Sequence, residues 1–192
     1  MMTGPAALIS GEPGLATGES RALDELAAAA ASLAAGAPLD EALGALARAV
    51  GLGTTAGLVL VRLAEPDGSA LLGRAVWAHS QVLTAELEGA RLPAGQAPTT
   101  ESAYEADEAP EPVRVAARAA GARHALVLPV LAGRRIRATL ELYREIDAFG
   151  ERDRALARLA ASHLALLLEL GSVSDARGRA GARGRTALDA VG

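Results

Sequence analysis

Hydrophobic and polar positions in the last third of the chain predict a strand hairpin followed by a helix. Residues 125–131 form an apolar run, and Ala132-Gly133-Arg134 supplies a turn. From Ile136 to Tyr143 apolar and polar side chains alternate, which is typical of a strand with one buried face and one polar face. A terminal helix is then predicted by an apolar stripe that steps by three or four residues through Leu156, Leu159, His163, Leu167 and Leu170. This order of elements is typical of the closing part of an α+β domain.

Helical spacing also marks two segments near the N-terminus. Leucine and alanine recur every three or four residues within residues 19–34 and again within residues 39–50. A glycine and a proline separate the two segments, as expected where one helix ends and another begins. Gly51 and Gly53 are expected to end the second helix.

The middle of the chain predicts a second strand hairpin. Residues 54–63 are a strand candidate and are almost continuously apolar from Ala56 to Val61, which favours a strand that is covered on both faces. Turn-forming residues follow at 65–69, and residues 70–79 supply the partner strand.

Between the two hairpins the sequence predicts short helices at residues 81–90 and 112–120, separated by a loop at residues 91–111. This loop is rich in proline, threonine, serine and acidic residues. A loop of this length inside a compact domain is usually functional or mobile.

The same patterns divide the chain into three parts. Residues 1–18 are expected to be a disordered lead-in and residues 19–170 a single domain with an N-terminal helix. Residues 171–192 are expected to be a disordered tail that is rich in arginine and glycine. A weak contact of this tail with nucleic acid or an acidic partner is the alternative.

Composition excludes several classes of site. The chain has no cysteine, which removes disulfides, thiol catalysis, thiolate zinc sites and cysteine-linked chromophores. Its formal net charge of −4 makes nucleic acid a poor default partner. Aromatic residues make up only 2% of the chain, so leucine, valine and alanine must form the core, and burial across a dimer interface would add stability. The N-terminus lacks the pattern of a signal peptide and no segment predicts a membrane span, so we expect a cytoplasmic protein.

Motifs for catalysis are absent from the sequence. There is no glycine-rich phosphate loop, no HExxH pattern and no pair of histidines at helical metal-binding spacing. An acidic stretch within residues 101–111 is interpreted as a solvated loop, with a divalent-cation site as the alternative. We therefore predict no enzyme activity and no metal site.

The order and local sequence of these elements resemble a GAF domain over residues 38–170. Residues 125–130 (ALVLPV) correspond to the strand that GAF domains write as "vPl". Residues 136–143 correspond to "iGvLeLy", with Ala138 in place of the usual glycine, and residues 149–153 (FGERD) to the entry into the last helix. The specificity of the match lies in the order of these motifs.

The resemblance implies an α+β fold of the PAS/profilin-like type. It implies a central antiparallel sheet of five to six strands, with the terminal helices packed on one face. Short helices and loops would enclose a small-molecule pocket over the other face. It also implies dimerisation through the terminal helices, which agrees with the leucine stripes of the first and last helices.

Known activities of the family can be tested against the sequence. Bilin-binding GAF domains need a cysteine, and those that act as methionine-sulfoxide reductases need catalytic cysteines, so neither chemistry fits this chain. Cyclic-nucleotide-binding members carry an Asn-Lys-Phe-Asp-Glu set, which a chain without asparagine and lysine does not have. Some members bind haem through a histidine, and His79, His124 and His163 are the candidates for that alternative.

These observations predict a sensory or regulatory module that binds a small molecule of unknown identity and signals to a partner protein as a homodimer. The alternatives are a pure dimerisation or scaffold domain without a ligand, a haem or other cofactor sensor, and an effector domain cut from a transcription factor. The residues predicted to line the pocket are Trp77, His79, Tyr104 and His124. The residues predicted to form the dimer interface are Leu23, Leu26, Leu33, Leu156, Leu159, His163 and Leu167.

Overall fold

The computed structural model describes residues 13–78 and 81–189. The strands are β1 (Leu58–Ala64), β2 (Ala70–Ala78), β3 (Arg91–Pro93), β4 (Ser102–Glu105), β5 (His124–Ala132) and β6 (Arg135–Arg144). The helices are α1 (Pro13–Ala34), α2 (Leu39–Thr54), α3 (Gln81–Leu87), α4 (Glu111–Ala119) and α5 (Glu151–Asp189), with 3₁₀ helices at Ala94–Gln96 and Ala106–Glu108. Within the described residues the six strands form one antiparallel sheet in the order β3-β2-β1-β6-β5-β4.

The sheet is covered on both faces. Helices α2 and α5 pack against one face, which we call the helix face, and α1 packs against these two helices. Residues 81–120 supply the edge strands β3 and β4, and their helices, α3 and α4 among them, lie over the other face; we call residues 81–120 the cover segment and this the cover face. The architecture confirms the predicted α+β fold, with terminal helices on one face and short helices and loops on the other.

Central strand β1 shows why its sequence is almost continuously apolar. Successive side chains of a strand point to opposite faces. Val59 and Val61 belong to the core under the helix face, whereas Leu58 and Leu60 belong to the core under the cover segment. Both faces are therefore buried, as the apolar run predicts.

The prediction that two glycines end the second helix is wrong, because Gly51 and Gly53 lie inside α2. A Cβ atom on Gly51 would lie 2.1 Å from the ring of Trp77, and one on Gly53 would lie 2.4 Å from Leu156 Cδ2. The helix ends instead at Thr54, and Thr55, which follows it, has a left-handed φ of 52°. Glycine is thus required at these two positions by close packing of α2 against β2 and α5.

Helical backbone extends further than predicted at both ends of the chain. Helix α1 begins at Pro13 rather than at Glu19, and α5 continues to Asp189 rather than ending at Leu170. A nucleated helix gains one hydrogen bond for each residue it adds, so it propagates through alanine-rich sequence despite several glycines. The rest of the predicted lead-in and tail lies outside the described residues, and the domain limits stay predictions.

The segment predicted as a loop at residues 91–111 contains two short strands. Strand β3 pairs with β2 through residues 91–93, and β4 pairs with β5 through residues 102–105. Both are edge strands, and with only three and four residues they are too short for a period of two to be recognised in the sequence. Backbone pairing with the neighbouring strands β2 and β5 stabilises both of them. The sequence pattern gives no sign of this pairing.

Candidate functional site

Four polar side chains are buried on the cover face at the centre of the sheet: Arg62, Thr139, Glu141 and Tyr143. We call them the buried polar cluster. Each has an exposed fraction of 1% or less. They come from the two central strands, because β1 pairs with β6 so that Arg62 lies opposite Thr139. Burying an ionised side chain is costly unless it is paired and hydrogen-bonded, so the cluster depends on its internal contacts.

Glu141 is the centre of the buried polar cluster. Its Oε1 accepts a hydrogen bond from Arg62 Nε at 2.9 Å and another from Thr139 Oγ1 at 2.9 Å. Its Oε2 accepts a hydrogen bond from Tyr143 Oη at 2.6 Å. The period of two along β6 places residues 139, 141 and 143 on one face, where all three meet the guanidinium from β1. Three donors therefore satisfy one buried carboxylate.

Arg62 also holds the cover segment against the sheet. Its Nη1 donates to the carbonyl oxygen of Ala90 at 2.5 Å. The same carbonyl accepts the backbone N–H of Gly73 at 3.0 Å, and the N–H of Gly89 donates to the Gly73 carbonyl at 2.9 Å. The turn between α3 and β3 is therefore attached to β2 by its backbone and to the buried polar cluster by one guanidinium.

Burial raises the pKa of Tyr143 well above its ordinary value, and the neighbouring Glu141 carboxylate raises it further. The phenol therefore stays protonated at neutral pH and acts as a hydrogen-bond donor to Glu141. The apolar side chains around the cluster belong to both the sheet and the cover segment; they include Leu58, Leu60, Leu87, Val113 and Ala125.

Replacing Tyr143 with phenylalanine tests this contact. We expect the free energy of unfolding at pH 7 to fall by about 1.5 kcal/mol, because a buried carboxylate loses one of its donors. A raised pKa in the folded state contributes stability that is complete below the unfolded pKa of about 10 and is lost as the pH rises above it. The difference in the free energy of unfolding between wild type and Tyr143→Phe, measured with urea, should therefore become smaller above about pH 10. A difference that stays constant into the alkaline range would contradict a raised pKa.

The structure does not bring the predicted pocket residues together. Trp77 packs into the core of the helix face, whereas Tyr104 packs against the core under the cover segment. The side chain of His124 is 19% exposed, and its Nδ1 lies 3.2 Å from Glu105 Oε1 at the edge of the sheet. His79 lies outside the described residues. Among the described candidates, only Tyr104 lies on the cover side with the buried polar cluster.

The predicted interface residues divide into two groups. Four of them are buried within their own chain, with exposed fractions of 1% to 6%: Leu26, Leu33, Leu156 and Leu167. Leu23 and Leu159 are 40% and 39% exposed. His163 is half-buried, and its Nδ1 lies 3.1 Å from the carbonyl oxygen of Leu159. An interface between chains stays a prediction, and the partly exposed residues are the ones free to form it.

Sequence reasoning missed the buried polar cluster because it assigned residues 139, 141 and 143 to a polar strand face. The polar face is buried as well, since the cover segment lies over it. One signal was present in the sequence. Arg62 follows the apolar run of β1, and Glu141 lies within the apolar sequence of β6. Opposite charges on two buried strands indicate an ion pair.

Comparison with known families identifies the fold. Residues 36–169 match a family model that is described as a GAF domain. This chain belongs to the GAF family. GAF domains are generally sensory modules that bind small molecules, and some of them bind bilins. No curated protein sequence matches the chain.

Solved structures with the same fold include GAF domains and one enzyme. The free methionine-R-sulfoxide reductase from Neisseria meningitidis in complex with its substrate has a TM-score of 0.65 at 15% identity, covering 88% of this chain and 98% of that one. The phycoerythrobilin-bound GAF domain from a cyanobacterial phytochrome has a TM-score of 0.65 at 14% identity, with coverages of 80% and 97%. The GAF domain from the Acinetobacter phosphoenolpyruvate-protein phosphotransferase has a TM-score of 0.58 at 14% identity, with coverages of 79% and 95%. At sequence identities of 14% to 15%, the structural similarity shows that these proteins share a fold with this chain.

The comparisons and the structure also bear on enzyme activity, metals and membranes. The family is generally regulatory, although one structural relative is a sulfoxide reductase. Among the described residues, no group of three or more His, Cys, Asp or Glu side chains comes together as a metal site would require. Residues Glu151–Val173 are long and apolar enough to cross a membrane by length and composition alone. Part of this stretch packs into the core, where Leu156, Leu164 and Leu167 are buried, and GAF domains are typically soluble.

Proposed function

We propose that this GAF domain is a non-enzymatic sensory module in which a small molecule binds between the sheet and the cover segment. The observation that carries the proposal is the buried polar cluster. The Glu141 carboxylate and the Arg62 guanidinium lie at the centre of the sheet beneath the cover segment. Arg62 also donates a hydrogen bond to the backbone of that segment. Polar groups at such a position can recognise the polar part of a ligand while the surrounding apolar side chains contact the rest.

The proposed response is a shift between two conformations. In the structure Arg62 donates to the Ala90 carbonyl, and that contact favours a closed cover segment. A ligand with a hydrogen-bond acceptor would compete with Ala90 for the same guanidinium, and a ligand with a donor would compete with Tyr143 for Glu141. Either exchange alters the position of the turn between α3 and β3.

Two contacts lead from this region to the terminal helix. On β6, the residue after Tyr143 is Arg144, whose Nη1 lies 3.1 Å from Asp153 Oδ2 in the first turn of α5. In the cover segment, Glu101 Oε2 accepts from Arg158 Nε of α5 at 2.7 Å, and this hydrogen bond lowers the pKa of Glu101. A change in β6 or in the cover segment therefore acts directly on α5.

We propose that α5 carries the output as a homodimer interface. Leu159, Leu166 and Val173 recur every seven residues along this helix, and they are 39%, 48% and 46% exposed. Apolar side chains at heptad spacing on an exposed helix face are typical of a helix that packs against a copy of itself. Leu166 and Val173 extend the predicted interface beyond Leu159 and Leu167. A cytoplasmic partner protein would recognise the resulting arrangement of the two helices.

Replacing Leu166 with glutamate is expected to convert the dimer into a monomer, because the substitution places two like charges at the centre of the interface. Native mass spectrometry of the purified protein measures the change. Val115→Glu is the matched control, since Val115 is 50% exposed on α4, away from this helix face. A wild-type chain that is monomeric, or a Val115→Glu variant that dissociates equally, would contradict the interface.

Ligand binding is tested by thermal shift across a panel of small metabolites. A ligand at about 100 times its Kd adds about 2.7 kcal/mol of stability, which should raise Tm by about 5 °C or more for a chain of this size. The shift should be smaller for Thr139→Val, which removes a hydroxyl from the buried polar cluster. It should be unchanged for Ser162→Ala, which removes an exposed hydroxyl of α5 that donates to the Arg158 carbonyl.

A scaffold without a ligand is the second candidate, and the closed packing under the cover segment favours it. The buried polar cluster satisfies its own hydrogen bonds, and Leu58, Leu60 and Val113 around it are fully buried. On this view the module only dimerises. Native mass spectra without any co-purified mass, together with no stabilising compound in the panel, would support the scaffold and reject the sensor.

A further inference from the structure

A second concave region lies at the ends of the two hairpins, away from the buried polar cluster. The turn between β1 and β2 and the turn between β5 and β6 form the walls of a cleft of about 700 Å³. Residues 64–68 line one wall and residues 134–137 line the other, with Ala94 and Thr99 between them. This volume is within the usual range for small-molecule sites. No member of the buried polar cluster reaches it.

Three arginines line one wall of this cleft: Arg134, Arg135 and Arg137. In the part of the chain that the structure describes, the side chains of Arg134 and Arg135 make no hydrogen bond or ion pair. The nearest carboxylate oxygen to Arg137 Nη1 belongs to Glu169, at 3.8 Å. The chain carries more acidic than basic residues, so guanidinium groups left without a partner are notable here.

A β-bulge brings the third arginine to the cleft. In the β5–β6 ladder, Val130 pairs with Ala138 and Leu131 pairs with Ile136, so Arg137 has no cross-strand partner. Bulges redirect side chains and are frequent beside functional sites. The bulge thus places Arg137 along the same cleft as the two arginines of the turn.

The opposite wall carries two acidic residues that have contacts of their own. Glu65 Oε2 lies 2.9 Å from Arg91 Nη2, so its charge is already paired. Asp67 accepts the backbone N–H of Ser69 at 2.9 Å, and this hydrogen bond lowers the pKa of Asp67. Among the described residues, Arg137 is paired with Glu169, whereas the side chains of Arg134 and Arg135 are unpaired. Two unpaired guanidinium groups therefore share the cleft with one carboxylate that forms no ion pair, that of Asp67, which leaves the cleft with an excess of positive charge.

We propose that this cleft binds a multiply charged anionic small molecule, one that bears phosphate groups or clustered carboxylates. Guanidinium groups recognise both through paired, charge-assisted hydrogen bonds. The partly buried Ala64, Ala94 and Ile136 offer apolar surface for the uncharged part of the ligand. The site is separate from the pocket proposed above, so it stands whether or not that pocket takes a ligand.

Calorimetric titration of the full chain with inorganic tripolyphosphate, and separately with citrate, tests the proposal. We expect saturable binding of at least one probe to a single site. The triple variant Arg134→Gln/Arg135→Gln/Arg137→Gln should lower the affinity at least about tenfold, because it removes every charge-assisted donor of the wall. The matched control, Arg74→Gln/Arg118→Gln/Arg123→Gln, loses the same charge from exposed positions elsewhere and should keep the affinity to within about twofold.

Three results would overturn the proposal. The first is the absence of saturable binding of either probe up to about 10 mM, which is weaker than any specific site would give. The second is an equal loss in both triple variants, which would mean general charge attraction. The third is binding of a glutamate-rich peptide without binding of either probe, which would assign the wall to an acidic protein segment. If the triple variant unfolds, Arg135→Gln alone replaces it, with Arg118→Gln as its control.

Discussion

Replacing Arg62 with methionine is expected to lower the free energy of unfolding by about 3–5 kcal/mol, because it leaves the buried Glu141 carboxylate without its counter-charge. The substitution keeps an unbranched side chain of similar length, so lost packing adds little. It also removes the donor to the Ala90 carbonyl. Urea unfolding at pH 7 measures the change. Hydrogen exchange over residues 83–93 should become faster than in wild type.

Two comparisons isolate the buried charge as the cause. Arg74→Met removes the same side chain from an ion pair with Asp40, whose partners are 48% and 58% exposed, and it should cost at most about 1 kcal/mol. The double variant Arg62→Met/Glu141→Gln removes both charges but keeps an acceptor for Thr139 and Tyr143. It should be more stable than Arg62→Met alone. Equal losses in Arg62→Met and Arg74→Met would contradict the account of the buried polar cluster.

Replacing Gly73 with alanine is expected to cost about 3 kcal/mol or more and to detach the turn between α3 and β3. A Cβ atom at this position would lie 2.2 Å from the backbone carbonyl oxygen of Leu87, which is far closer than van der Waals contact. Because the obstacle is backbone, no rotamer change relieves it. The cover segment must move, and its backbone hydrogen bonds to Gly73 lengthen or break. Thermal unfolding measures the loss, and hydrogen exchange locates it.

Gly44→Ala is the matched control for this variant. Gly44 lies within α2, and a Cβ atom there would meet nothing within 4 Å. Alanine is favoured over glycine in a helix, so this variant should gain about 0.5–1 kcal/mol. If Gly73→Ala behaved like Gly44→Ala, the cover segment would not be packed against β2 as the structure describes.

The two variants test different parts of the proposed sensor. Arg62→Met removes the polar contact that ties the cover segment to the buried polar cluster, whereas Gly73→Ala prevents its backbone from docking on β2. In both cases α5 should keep its own packing against the sheet, since Leu164 and Leu167 lie in the separate core of the helix face. A dimer that persists in both variants would place the interface in α5 rather than in the cover segment.

Local patterns in the sequence were sufficient for the four longer strands and for the presence of the helices, but not for β3 and β4. Alternation in β6, the apolar run of β1 and the leucine spacing of α5 each reflect the geometry of one element, so they are visible without knowledge of its neighbours. Their order along the chain resembles a GAF domain, and the family match confirms that assignment. The absence of cysteine likewise excluded thiol chemistry from composition alone.

Only the tertiary structure decided which polar side chains are buried and why certain glycines are present. In the sequence, Glu141 resembles any polar residue of a half-exposed strand. In the structure it is buried, because the cover segment lies over it. Gly51 looks like a helix terminator until the ring of Trp77 is placed against it. Trp77 and Tyr104 are both plausible pocket residues in sequence, but strand register puts them on opposite faces of the sheet. Such properties depend on contacts between residues that are distant in the chain, and no local pattern records them.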